Sequence, residues 1–127
     1  MENRYLIDTQ VFIWSMENNK RISKNIFLLL KDQQNLIYFS VASIWEMIIK
    51  TSKKKLKTPK NIVEVINLAG FLILPINLKH VLSLTSLPAI HQDPFDRILI
   101  SQSQTENLTL ITSDPIIAKY KIKVLKA

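Results

Sequence analysis

Ten acidic residues serve a chain of 127. Four of them stand where the surrounding pattern calls for apolar or neutral neighbours. Asp8 ends the apolar run Tyr5-Leu6-Ile7. Glu46 lies at the edge of an apolar helical stripe, beside Trp45. Asp96 follows Phe95 in a stretch that is apolar almost all round, and Asp114 follows Leu108 to Ile111 by way of Thr112-Ser113. Two carboxylates about 4 Å apart repel by roughly 4 kcal/mol at an effective dielectric of about 20. Acids gathered in one pocket therefore raise each other's pKa and destabilise the fold. A bound cation reverses that cost. Oxygen ligands without His or Cys select Mg²⁺ or Mn²⁺ over zinc. The natural chemistry of such a site is phosphodiester hydrolysis by metal-activated water, with no protein nucleophile required.

Each acid also has a purely structural reading. Asp8, Asp93 and Asp114 could be helix N-caps, and the pairs Asp93-Pro94 and Asp114-Pro115 favour that. Asp96 near a helix start could complement the macrodipole. Glu46 could pair with Lys50 one turn on. A capping carboxylate can also be a ligand, so the readings overlap. The conjunction of the four carries more weight than any member.

The elements that must position these acids read as alternating strands and helices, which argues for a parallel sheet with helices on both sides. Strands are expected at Tyr5-Leu6-Ile7, Leu36 to Phe39, Phe71 to Leu74, Leu108 to Ile111 and, as a lysine-bearing edge, Lys121 to Lys126. Ser23 caps a helix with Ile26, Phe27 and Leu30 on its buried face. Ser40 caps another, whose stripe is Val41, Ile44, Trp45, Ile48 and Ile49. Thr58-Pro59 is expected to open a helix that Gly70 ends with a left-handed cap. A helix from Leu78 to Thr85 and one from Asp93-Pro94 follow, and Asp114-Pro115 opens a short turn. In parallel α/β sheets, ligands bind at the carboxyl ends of strands, where this reading places Asp8 and Asp114.

The sequence resembles the PIN-domain nucleases, and in particular the VapC-like toxins of bacterial toxin–antitoxin pairs. The matching segments are Leu6-Ile7-Asp8-Thr9 with the nearby Trp14, Ser40 to Glu46, Leu87-Pro88 with His91 to Arg97, and Leu110 to Asp114. They span nearly the whole chain, and the two middle ones are specific. The resemblance implies a PIN-like three-layer α/β/α fold with a central, mainly parallel sheet, over one domain at residues 1–127. It implies a site of Asp8, Glu46, Asp96 and Asp114 that holds Mg²⁺ or Mn²⁺. Helix pattern and distance from Asp114 pick Asp96 over Asp93 as the third acid, leaving Asp93 as an accessory acid or a cap. Thr112 has two roles open, a hydrogen bond to water at the metal or simply holding its loop. The implied partners are an RNA substrate, an antitoxin protein and a second copy of the chain. Two positions depart from the pattern: Gln10, where close relatives often have His, and Ser52-Lys53-Lys54-Lys55, where they often have a glycine.

The remaining composition narrows the field. No cysteine is present, which removes disulfides, thiolate zinc and a cysteine nucleophile, and fits a reducing cytoplasm. One glycine cannot build a phosphate-binding loop. No apolar run reaches the roughly 18 residues of a membrane span. A formal charge of +7 suits an anionic partner, though lysines also simply solvate a surface. The densest basic run, Lys50 to Lys60, could follow an RNA backbone or be a solvated helix end. Arg97 could contact a phosphate or pair with Asp93, the ion pair being slightly favoured. His80 and His91 are expected in surface or packing roles, and Trp14 and Trp45 in the core or a dimer interface. Phe12, Ile26 and Phe27 offer apolar material for that interface. The competing functions are an RNA-processing nuclease without an antitoxin, an inactive domain that only binds nucleic acid or protein, and a receiver-type signalling domain. The last needs adjacent acids after the first strand, where this chain is apolar.

Overall fold

The computed structural model describes residues 3–127. Its strands are β1 (Arg4–Ile7), β2 (Leu36–Ser40), β3 (Leu72–Leu74), β4 (Thr109–Thr112) and β5 (Val124–Lys126). Its helices are α1 (Thr9–Met16), α2 (Lys24–Lys31), α3 (Val41–Ser52), α4 (Ile62–Leu68), α5 (Leu78–Leu82) and α6 (Pro94–Glu106). The sheet order is β3-β2-β1-β4-β5, and every neighbouring pair runs parallel. The chain thus builds outward from β1 through β2 and β3, then returns to place β4 on the other flank of β1. That reversal puts a topological switch point between the carboxyl ends of β1 and β4, which is where a parallel sheet opens a crevice.

Strand alternation divides the core in two. Ile7, Ile37, Phe39 and Ile111 point to one face and pack with Val11 and Phe12 of α1, Ile26 and Leu30 of α2, Met47 of α3 and Ile66 of α4. Leu6, Leu74 and Leu110 point to the other face and pack with Leu99 and Ile100 of α6. Phe12 stacks on Phe39 with ring centroids 4.1 Å apart. The result is the expected three-layer α/β/α arrangement. It also corrects one expectation: Phe12 and Ile26 are buried in this core and offer nothing to an interface. Among the described residues, no helix is long and apolar enough to cross a membrane.

Ser23 and Ser40 cap α2 and α3 as the sequence suggests, accepting from the backbone N–H of Ile26 and Ala42. Thr58-Pro59 does not open a helix. The Thr58 hydroxyl donates to the Met47 carbonyl at 3.2 Å and shares a hydrogen bond with Thr51 at 2.6 Å, so it ties the loop to α3 instead of capping α4. That helix begins three residues later, after Asn61. The fourth strand is displaced by one residue from its expected bounds, which makes Thr112 its last residue.

Helices α3 and α4 end in the same motif with different residues at its left-handed position. At the end of α4, Gly70 has φ 79°, its N–H reaches Asn67 O, and Phe71 N–H reaches Ile66 O. At the end of α3, Lys54 has φ 58°, its N–H reaches Thr51 O, and Lys55 N–H reaches Lys50 O. The loop that departs from the family pattern in sequence therefore forms the glycine-type turn with a lysine. A left-handed L-residue costs roughly 1–2 kcal/mol, and glycine's extra chain entropy takes back about 0.5–1 kcal/mol. Lys54→Gly is expected to raise the unfolding free energy by about 0.5–1 kcal/mol. Urea titration checks this, and an unchanged or lower midpoint contradicts it.

Candidate active site

The four acids arrive from four elements. Asp8 follows β1 and caps α1, its Oδ1 accepting from Val11 N–H at 2.8 Å. Glu46 projects from the middle of α3, and its Oε2 lies 2.9 Å from Lys50 Nζ. Asp96 sits in the first turn of α6. Asp114 lies just beyond β4, its Oδ1 accepting from Ile116 N–H at 2.9 Å. All four line one cleft of about 260 Å³, together with Asp93, Thr9, Gln10, Lys50 and Ser113. The cleft opens at the carboxyl ends of β1 and β4, at the switch point.

Several structural readings hold at the same time as the convergence. Asp93 caps α6 through Oδ1, which accepts from Phe95 N–H at 2.8 Å and Asp96 N–H at 3.2 Å. Glu46 does pair with Lys50. Thr112 is buried, donates to Asp8 Oδ2 and accepts from Asp114 N–H at 3.0 Å. Its hydroxyl therefore couples the acid after β1 to the loop that carries Asp114.

Burial and mutual repulsion leave these acids poorly satisfied. Asp8 is pushed up to about 6, mainly by burial, with Glu46 and Asp114 adding repulsion; the bonds from Thr112 and Val11 oppose the rise. Asp96 is pushed up to about 7 by burial and then by Asp93, against the pull of His91. Glu46 Oε1 is buried without a hydrogen-bond partner, as is the Thr9 hydroxyl. An orphaned carboxylate oxygen facing other acids is what a divalent cation with oxygen ligands would satisfy. The donor set fits such an ion.

Two residues behave differently from expectation, and a third settles a choice between core and surface. His91 is neither on the surface nor packed in a core: its Nε2 lies 2.8 Å from Asp114 Oδ2 and 3.1 Å from Asp96 Oδ2. Arg97 makes no ion pair with Asp93. Its guanidinium donates to the carbonyls of Leu87, Pro88 and His91 and to the Tyr120 hydroxyl. Its two terminal nitrogens, turned onto this loop and Tyr120, leave it as a loop clamp, not a phosphate contact. Trp45 is 56% exposed and touches Phe95 edge-to-face, which excludes it from the core. His80, by contrast, is buried and bonds Glu106 at 2.9 Å, a packing role. The signal that could have found His91 was its place two residues before the α6 cap, on the same approach as Asp93 and Asp96.

The family model described as PIN domain matches residues 5–123. No curated protein matches the chain. Among solved structures, VapBC2 from Rickettsia felis bound to a promoter DNA fragment is similar at TM-score 0.71 and 18% identity, covering 97% of this chain and 98% of that one. DNA-bound VapBC from Salmonella typhimurium is similar at TM-score 0.70 and 14% identity, covering 99% and 98%. A toxin–antitoxin complex from Klebsiella pneumoniae is similar at TM-score 0.65 and 19% identity, covering 95% of each chain. At these identities the likeness is one of fold.

The raised carboxyls set a pH dependence with a definite sign. An acid at about 7 in the folded protein and 3.8 in the unfolded chain keeps more protons folded than unfolded between those values. Its contribution to stability is therefore fully present below pH 4 and is lost as pH rises through 7. Without divalent ions, Asp96→Asn is expected to match the parent near pH 4 and to exceed it by roughly 1–3 kcal/mol at pH 8. Chemical denaturation at both pH values reads this difference; a gap that does not widen with pH rules it out.

Proposed function

This chain belongs to the PIN domain family, and we propose that it is a divalent-metal-dependent endoribonuclease, the toxin of a toxin–antitoxin pair. The observation that carries the proposal is the convergence of Asp8, Glu46, Asp96 and Asp114 on one cleft at the sheet's switch point. Residues 1–127 act in this reading as a single PIN domain in the cytoplasm.

Asp8, Glu46, Asp96 and Asp114 would hold Mg²⁺ or Mn²⁺, with the unpartnered Glu46 Oε1 as one donor. When bound, the ion supplies the Lewis acidity that activates water and offsets charge on the phosphodiester. The chain's own residues do the positioning. Val11 N–H and Thr112 fix the two oxygens of Asp8. Ile116 N–H fixes one oxygen of Asp114. Lys50 lines the cleft, paired with Glu46, and Lys53, Lys54 and Lys55 are exposed just beyond it in the chain. A net charge of +7 favours a polyanion over a neutral ester, and RNA is the substrate proposed. Asp93 adds negative charge at the rim while capping α6, and Arg97 serves the site only through the loop it clamps.

The likeness to VapBC and toxin–antitoxin structures supports an antitoxin partner. A basic side chain from that partner, entering the cleft, would neutralise the acids as Lys50 already does for Glu46. The proposed homodimer draws on exposed apolar side chains of α3 and α5, among them Trp45, Ile48, Val81 and Leu82, in place of the buried Phe12 and Ile26.

Purified protein is expected to cut single-stranded RNA with Mg²⁺ or Mn²⁺ and to stop in excess EDTA. Asp8→Asn should lower the rate by about 100-fold or more by weakening the ion's hold, with RNA affinity largely kept. Glu17→Gln, an exposed position away from the cleft, is the control. Cleavage that survives EDTA, or full activity in Asp8→Asn, would overturn the reading.

A further inference from the structure

His91 borders the cleft through Asp96 and Asp114, and the four-acid site does not use its chemistry. It sits on a loop held from two sides. The Tyr120 hydroxyl accepts from Ile90 N–H at 3.1 Å and His91 N–H at 2.7 Å, and donates to Pro88 O at 2.8 Å. Arg97 grips the carbonyls of the same segment. A side chain merely exposed on a loop would not be fixed in this way.

The ring's own bonds decide what it can do. Nδ1 accepts the Asp93 backbone N–H at 3.1 Å, so Nδ1 presents a lone pair and the ring proton belongs on Nε2. Nε2–H then donates to Asp114 Oδ2 at 2.8 Å and lies 3.1 Å from Asp96 Oδ2. His91 Nε2 and one oxygen from each acid lie within 4.8 Å of one another. That clustering suggests a ligand triad, but the tautomer argues otherwise. Direct ligation by Nε2 would move the proton to Nδ1, against the Asp93 N–H. The single Nε2 proton is given to Asp114, so Asp96 meets His91 as a neighbouring carboxylate and not as its hydrogen-bond acceptor. Asp114 is locked between His91 on Oδ2 and Ile116 N–H on Oδ1.

We propose that His91 is a positioning residue of the metal site: a neutral donor, held by the Tyr120–Arg97 clamp, that fixes Asp114 as a ligand beside Asp96 without itself binding the ion. This rests on the metal-site reading above and adds a residue to it. Donors behind metal ligands commonly change affinity by about 10–100-fold when removed. Glutamine can place an amide N–H near the position of Nε2, whereas alanine offers none.

The test measures Mn²⁺ affinity directly, by electron paramagnetic resonance of free Mn²⁺ titrated into the full chain without RNA. His91→Ala is expected to weaken binding by about 10–100-fold, and His91→Gln to restore it to within about threefold of the parent. Pulsed measurements on Mn²⁺-loaded parent should show no directly coordinated imidazole nitrogen. Parent-like affinity in His91→Ala, failure of glutamine to restore it, or a coordinated nitrogen would each overturn the proposal. Asp8→Asn separates the levels. If it loses Mn²⁺ while His91→Ala does not, only the positioning role fails. If it binds Mn²⁺ like the parent, the metal site and the positioning role fail together.

Discussion

Carboxylates that share a partly buried cleft repel one another strongly, because the protein around them screens charge far less than water does. Asp8, Glu46, Asp93, Asp96 and Asp114 are in that position, and the rest of the cleft is arranged around their repulsion. Backbone N–H groups at the starts of α1 and α6 turn toward Asp8 and Asp93. Lys50 takes one oxygen of Glu46, Thr112 takes one of Asp8, and His91 stands between Asp96 and Asp114. The compensation is incomplete, since Asp8 and Asp96 remain raised and Glu46 Oε1 has no partner. A protein whose only requirement was stability would gain by replacing such a group. The residual charge is a feature a cation can use.

The fold supplies the convergence through its strand order. Because β4 returns to the flank of β1 opposite β2, the acids after β1 and β4 come from the two sides of one crevice. Asp8 N–H donates to Ile111 O at 3.1 Å, which extends the β1–β4 pairing to the edge of the cleft. Helix α3 feeds one core cluster and α6 the other, and the two helices meet through Trp45 and Phe95, which brings Glu46 and Asp96 to the same cleft. The same carboxylates that cap helices thereby face one another. Capping and ligation are compatible because each carboxylate has two oxygens with two lone pairs each.

A clamp with no charge partner of its own sets the third side. Arg97 and Tyr120 spend their polar groups on the 87–91 segment, where backbone carbonyls and N–H groups lack a sheet or helix to satisfy them. Holding such a loop in one conformation requires partners of this kind. Its consequence is a His91 fixed to within hydrogen-bond distance of two acids that come from different elements.

Much of this was legible in the sequence. Alternating apolar runs specify parallel strands, Ser23, Ser40 and Gly70 mark helix ends by local hydrogen bonding, and scarce acids in apolar surroundings announce a site. These signals are local in character: a period, a cap or a turn depends on a few neighbouring residues. Thr58-Pro59 misled because the Thr58 hydroxyl found a non-local partner in α3. Phe12 was read as surface because a short helix does not declare which face meets the sheet. The functions of Arg97 and His91 were out of reach for the same reason. Arg97 bonds a loop up to 10 residues earlier and Tyr120 23 residues later, while His91 meets an acid 23 residues on. Sequence determined which residue types were present and which local elements they form. Only the return of β4 beside β1 decided which of those charges would face each other, because distance in space is set by packing and not by spacing along the chain.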